Sequence, residues 1–341
     1  YTEGTNVKDA NLWANKTIEV RPDGNTYTVY SNFLGEALLT DLCDTKGTPT
    51  TADDEHWYVY NRYDVNGNVL LDASSSAIAG YEEDAFTLGQ LNVTGTDFGA
   101  SGLVHVYTYY DGDDTATATT PGGVVNYLAS VGVAEGLADA LAGTNIIVTA
   151  EYTYYKNTVG SGSTAKTVYH LAEEIKYTET NHTGAITTSY DDANLWYTGT
   201  VKLKQETLVL PVISQAQNGS GAADTTKTWY DQEGNLTWTL DQAGRATYYH
   251  HDSATGRVDY VIEDVDSDLS SGLNPPTGYA GNADVLHLRT DYEYDLTGRV
   301  VQVLGPEHAD AEGTLVRTAS WVVYKDGDHT TYSAQGYAWW D

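Results

Sequence analysis

Apolar and polar residues alternate with a period of two in many short runs of this chain. Val104-His105-Val106-Tyr107-Thr108-Tyr109, Glu151-Tyr152-Thr153-Tyr154-Tyr155, residues 201–210 and Arg299-Val300-Val301-Gln302-Val303-Leu304 are examples. That period puts successive side chains on opposite faces of a strand, and the runs are too short or too β-branched to favour a helix. One stretch departs: over 124–141, Val125, Leu128, Val131, Val133, Leu137 and Leu141 recur among Ala and Gly in a loosely helical spacing. It predicts one short helix. Pro- and Gly-rich breaks at 120–123, 218–221 and 272–276 read as surface loops, because the strand pattern resumes after each. The expectation is one continuous, repeat-built all-β domain over residues 1–341.

Between the runs, a short signature recurs: an aromatic, an acidic or amide residue, two variable residues, glycine, a polar residue and an aliphatic. Its best copies are Tyr63-Asp64-Val65-Asn66-Gly67-Asn68-Val69, Tyr230-Asp231-Gln232-Glu233-Gly234-Asn235-Leu236 and Tyr294-Asp295-Leu296-Thr297-Gly298-Arg299-Val300. Looser copies start at Asp241, at Asp252 and, with Asn for Asp, at Asn32. An Asp side chain can accept from the backbone two residues on, and glycine supplies the positive φ of a tight turn. The aromatic ends one strand and the aliphatic begins the next.

Composition agrees with strands: 28 Tyr and 8 Trp are present. Seventeen basic against 48 acidic residues give a net charge of −31, a field that repels nucleic acid and anionic membranes. No apolar run approaches the roughly 18 residues of a membrane helix, so no membrane insertion of this segment is expected. The chain opens at Tyr1 and has no Met, as expected of a segment of a larger or processed protein. The single Cys43 reads as a buried small apolar residue outside any metal-spaced cluster. Sequons at Asn15, Asn92, Asn181 and Asn218 match glycan acceptors, a number also expected by chance in a Thr-, Ser- and Asn-rich chain.

The aromatic-Asp-x-x-Gly-Arg/Asn-aliphatic signature resembles the YD repeat of the RHS family, found in bacterial surface and secreted proteins, toxin-complex shells and the animal teneurins. The resemblance implies consecutive antiparallel hairpins forming a spiralling, solenoid-like sheet or shell, with an extracellular or cell-surface location. It also implies structural turn and packing roles for Tyr63, Asp64, Gly67, Tyr230, Asp231, Gly234, Tyr294, Asp295, Gly298 and Arg299. The copies are irregularly spaced, and no Asp-Pro dipeptide of the kind that marks the self-cleaving core domain of many RHS shells occurs.

Candidate chemistry is sparse. None of the nine His shows zinc-type spacing, and the adjacent His250 and His251 would face opposite sides of a strand. The acidic clusters 111–114, 264–268 and 326–328 offer oxygen ligands of the kind calcium takes. Asp264, Asp266 and Asp268 are the best set, because a strand would place all three on one face. Calcium is thus the one cofactor the sequence offers. There is no nucleophile elbow or phosphate loop, and the abundant carboxylates single out no glycosidase pair, so no enzyme is expected. Trp196, Tyr197, Trp339 and Trp340 are candidates for stacking on sugar rings, against the alternative that they pack.

Three functions follow. The first is a structural scaffold whose partners are neighbouring repeats or copies of itself. The alternative is a surface module that binds glycans or a partner protein, and the weaker alternative is a shell around a toxin domain outside this segment.

Overall fold

A computed structural model describes residues 2–3, 9–47, 54–83, 91–92, 101–191, 195–266, 272–276, 279 and 285–338. Trp339, Trp340 and Asp268 lie outside the described residues. The chain divides into two compact units, Tyr1–Lys156 with His170–Thr187, and Asn157–Tyr169 with Thr188–Asp341.

The first unit holds β1 (Thr2–Glu3), β2 (Asn15–Val20), β3 (Thr26–Ser31), β4 (Ala37–Asp44), β5 (Glu55–Tyr63), β6 (Val69–Ala73), β7 (Glu82–Glu83), β8 (Leu91–Asn92), β9 (Leu103–Tyr109) and β10 (Leu128–Glu135), followed by helix α1 (Leu137–Ala142). β11 (Ile147–Val159), β12 (Lys166–Tyr177) and β13 (Ala185–Asp191) contribute residues to both units. Strands β1 to β6 pair antiparallel in chain order, then β6 with β9, β9 with β10 and β10 with β11. β7 and β8 form a separate two-stranded pair.

The second unit continues with β14 (Gln205–Val209), β15 (Thr225–Tyr230), β16 (Leu236–Leu240), β17 (Ala246–His251), β18 (Val258–Glu263), β19 (Leu288–Tyr294), β20 (Val300–Ala309), β21 (Leu315–Lys325) and β22 (Thr330–Ala338). From β13 to β22 each strand pairs antiparallel with the next. The expected all-β class, built of consecutive antiparallel hairpins, is what the chain adopts.

The helical expectation was right in kind and too long. Only the six residues of α1 are helical, ended by Gly143 at φ 66°. Leu128, Val131 and Val133 lie on β10, where two flanking strands satisfy the backbone and β-branched residues pack well. Among the described residues, no helix is long and apolar enough to cross a membrane.

Alternation sorts each strand into faces, which builds the cores. On β4, Leu39, Asp41 and Cys43 are all buried. One cluster gathers Tyr58, Leu71, Val104, Val106 and Leu137; a second sets Trp13 edge-on to Tyr30 at 5.6 Å over Leu38 and Leu39. In the second unit Trp238 is the centre of a cluster with Ala246, Ile262 and Val265.

Candidate functional site

The signature residues build one loop several times over. At Asp231 the backbone N–H donates to the Asn235 carbonyl (2.9 Å), the Gly234 N–H returns to the Asp231 carbonyl (3.2 Å), and Oδ1 accepts from the N–H of Glu233 (3.0 Å) and Asn235 (2.8 Å). Asp64 and Asp295 repeat these bonds, and Asn32 does so with its amide oxygen. Asp241 keeps the backbone pair and the bond from Arg245, and Asp252 closes a loop one residue longer. Gly67, Gly234 and Gly298 have φ of 85°, 95° and 92°. The pairing register slips between Arg62 and Tyr63, Trp229 and Tyr230, and Glu293 and Tyr294, as a glycine bulge requires. Asp310 to Thr314 is a further copy that the sequence reading missed.

These turns are locked to one another within each unit. At several strand ends an aromatic donates to the carbonyl two residues past the glycine of the preceding turn, whereas Tyr230 donates to the Glu206 carboxylate (2.5 Å). Tyr63 Oη reaches the Ala37 carbonyl (2.9 Å), Tyr109 that of Val69 (3.0 Å), Tyr294 that of Val258 (2.7 Å) and Tyr324 that of Val300 (3.2 Å). His251 takes the same place with Nε2 against the Leu236 carbonyl (2.7 Å). At two turns the residue after one glycine leans over the next glycine: a Cβ on Gly67 would lie 2.6 Å from Glu36 Oε1, and one on Gly298 2.7 Å from Arg257 Cζ. Those are flexible side-chain ends and nothing lies within 4 Å at Gly234 or Gly244, so positive φ is the common demand for glycine at these turns. Arg299 spans two turns, bonding Asp295 through Nε (2.8 Å) and Asp326 (2.5 Å) while its guanidinium sits 4.2 Å from the Tyr324 ring centre. Replacing Tyr294 by Phe removes one latch and is expected to cost about 1 kcal/mol in urea unfolding. No change in midpoint would show that the hydroxyl bond stabilises nothing.

The carboxyls of Asp64, Asp231, Asp252 and Asp295 are all lowered. Backbone and side-chain donation from Arg299 and Thr297 drives the Asp295 carboxyl far below its usual range, and the Thr255 hydroxyl and N–H lower Asp252. Burial works against Asp64 and Asp231, but donation from Asn68 and Asn235 outweighs it and both are lowered. A lowered folded value stabilises the fold above the unfolded carboxyl value of about 4 and is lost as the pH falls from there through the folded values. Urea midpoints measured from about pH 6 down to pH 2 should hold until about pH 4 and then fall, less steeply in Asp231→Asn. A fall centred near pH 6.5, the histidine range, would contradict this.

The other candidates are placed as follows. Asp264 lies just past β18 at φ 52°, with Asp266 beyond it, so strand alternation does not bring their carboxylates to one face. Asp264 Oδ2 accepts from Leu286 N–H (3.0 Å), while its buried Oδ1 has no hydrogen-bond partner among the described residues. Asp114 is paired with Lys156 (2.5 Å), and Asp326 with Arg299. His250 bonds Asp259 (2.6 Å) and stacks on Tyr260. Trp196 and Tyr197 are half-buried, and the Tyr197 hydroxyl donates to the Tyr230 carbonyl (2.6 Å).

Cys43 is buried as expected, but it is not isolated from other metal-ligating groups. Its Sγ, a carboxylate oxygen of Asp54 and a ring nitrogen of His56 lie within 4.8 Å of one another. The pairing of β4 with β5 sets Cys43 directly opposite His56, a register that no spacing rule along the sequence expresses.

The sequence matches no protein-family model and no curated protein. Among solved structures it is similar to TcdB2-TccC3, at 13% identity over 89% of this chain and 15% of that one, with a TM-score of 0.28. It is similar to the Tc holotoxin pore of Photorhabdus luminescens at 12% identity, 92% and 19% coverage and a TM-score of 0.20. A porin-like protein from Bacteroides uniformis matches at 11% identity, 95% and 93% coverage and a TM-score of 0.24. The chain spans about a sixth of the first of these. Likenesses this weak carry no argument about function.

Proposed function

We propose that this chain is a YD-repeat segment of RHS type that serves as a structural scaffold in an extracellular shell or fibre, and that it catalyses no reaction. The observation that supports this most is the row of turns latched copy to copy by Tyr63, Tyr109, His251, Tyr294 and Tyr324. The turn carboxylates are engaged in closing their own loops, and the hydroxyls of Tyr63, Tyr109, Tyr294 and Tyr324 with the His251 ring in holding one hairpin against the next. Such repetition suits lateral growth, since successive hairpins offer the next an equivalent carbonyl two residues past the turn glycine.

A second reading is a glycan-binding module. It draws on the groove of about 520 Å³ across β20 to β22, floored by Gly305, Ala319 and Gly336 and flanked by the exposed Tyr337. Enclosure of a toxin domain is the weaker third. Negative-stain electron microscopy of the native material, with and without a calcium chelator, tests the scaffold. Hollow particles or regular fibres support it, and their collapse in chelator would make the acidic loops calcium sites. Dispersed monomers unaffected by chelator overturn it and favour the binding module, which a glycan array then checks.

A further inference from the structure

We propose that Cys43, Asp54 and His56 bind one divalent transition-metal ion of the zinc class, with Asp41 orienting the histidine. Thiolate, imidazole and carboxylate are the donor set that zinc takes with bond lengths of about 2.0–2.3 Å, which puts tetrahedral ligands roughly 3.3–3.8 Å apart. The three donor atoms already lie within 4.8 Å of one another, so small side-chain rotations close the site.

The second observation is independent of that proximity. His56 Nδ1 is 2.8 Å from Asp41 Oδ1, and the Asp41 carboxylate is only 8% exposed. A metal-binding histidine commonly gives its other ring nitrogen to a carboxylate, which fixes the tautomer and raises its basicity. With Nδ1 engaged in this way, Nε2 is the nitrogen left for the ion. The ring is further held by stacking on Tyr58, centroids 5.5 Å apart. Asp41 and Cys43 share the inner face of β4, and strands in register carry His56 and Tyr58 opposite them, so two of the three ligands sit on sheet backbone and Asp54 comes one residue ahead of β5.

Electrostatics favour a cation there. Burial first, then the charges of Asp54 and Asp41, push the Cys43 thiol up. A bound dication offsets the two carboxylate charges, and the thiol proton leaves to solvent as the thiolate binds. Three protein donors leave a fourth position for water.

The test is titration of the whole chain with cobalt(II), then with zinc, in excess calcium and magnesium to saturate the acidic surface. One equivalent of cobalt with a thiolate-to-metal absorption band, displaced by zinc, is expected. Cys43→Ser should abolish the band and weaken zinc binding about 100-fold, and Asp41→Asn should keep the band while weakening binding about 10- to 100-fold. Because Cys43 is buried, the half-exposed His56→Gln provides a variant less prone to misfolding, and it too should lose the equivalent. Absence of a thiolate band, or zinc affinity unchanged in Cys43→Ser or His56→Gln, overturns the site.

Discussion

Replacing Gly102 by Ala is expected to destabilise the first unit by about 3–5 kcal/mol, combining a glycine-only backbone conformation with overpacking. Gly102 has φ 140°, and an added Cβ would overlap the Ser76 carbonyl and lie 2.5 Å from Ala77 Cα. Those atoms are backbone and cannot rotate aside. They cannot retreat either, because Ala77 and Val104 are fully buried and Ile78 nearly so in the cluster that also holds Leu71 and Leu137. The Gly102 carbonyl meanwhile accepts from Gly136 N–H (2.8 Å), which ties the same point to the start of α1. Gly143→Ala is the control: φ is 66° and nothing lies within 4 Å of its Cβ, so strain alone acts and about 1 kcal/mol is expected. Urea unfolding of the two variants should separate them by at least about 2 kcal/mol. Equal losses would mean that the 75–77 turn yields freely.

Trp238→Ala should cost about 3–5 kcal/mol, the range for truncating a buried large aromatic. Trp238 is 4% exposed and is held between Tyr248 (4.8 Å between ring centres) and Tyr279 (5.9 Å), with Ala246, Ile262 and Val265 closing the cluster. Its cross-strand partners are Trp229 on one side and Tyr248 on the other, so truncation opens a cavity spanning three strands. The Tyr279 hydroxyl is anchored to the Val265 carbonyl (2.6 Å), which limits collapse into the space. Near-UV circular dichroism should lose intensity as the rings lose their fixed environment, and the unfolding midpoint should drop. A loss below about 1 kcal/mol would show that the site relaxes around the gap and that Trp238 is not the centre of this core.

The metal-site test and the microscopy address different links of the chain from structure to function. A metal at Cys43 is compatible with a scaffold, while failure of the cobalt titration leaves the latched turns untouched.

What the sequence by itself determined is the turn. Its information lies within six residues: Asp for the backbone N–H groups, Gly for the positive φ, and an aliphatic to restart the strand. The copies at Asn32, Asp64, Asp231, Asp241, Asp252 and Asp295 all close as expected. Strand alternation was equally local and decided the all-β class. Where local signals were mixed they misled: Val131 and Val133 suit a helix by spacing and a strand by branching, and β10 was settled by the strands on either side of it. Only the tertiary structure decided what Tyr63, Tyr109, Tyr294 and Tyr324 do, since their acceptors lie 24 to 40 residues away along the chain. It also decided that His251 fills a tyrosine's place, and that Cys43 faces His56. The physical reason is register: a slip of one residue in β4 against β5 would turn Cys43 to the other face, and no six-residue window contains that choice.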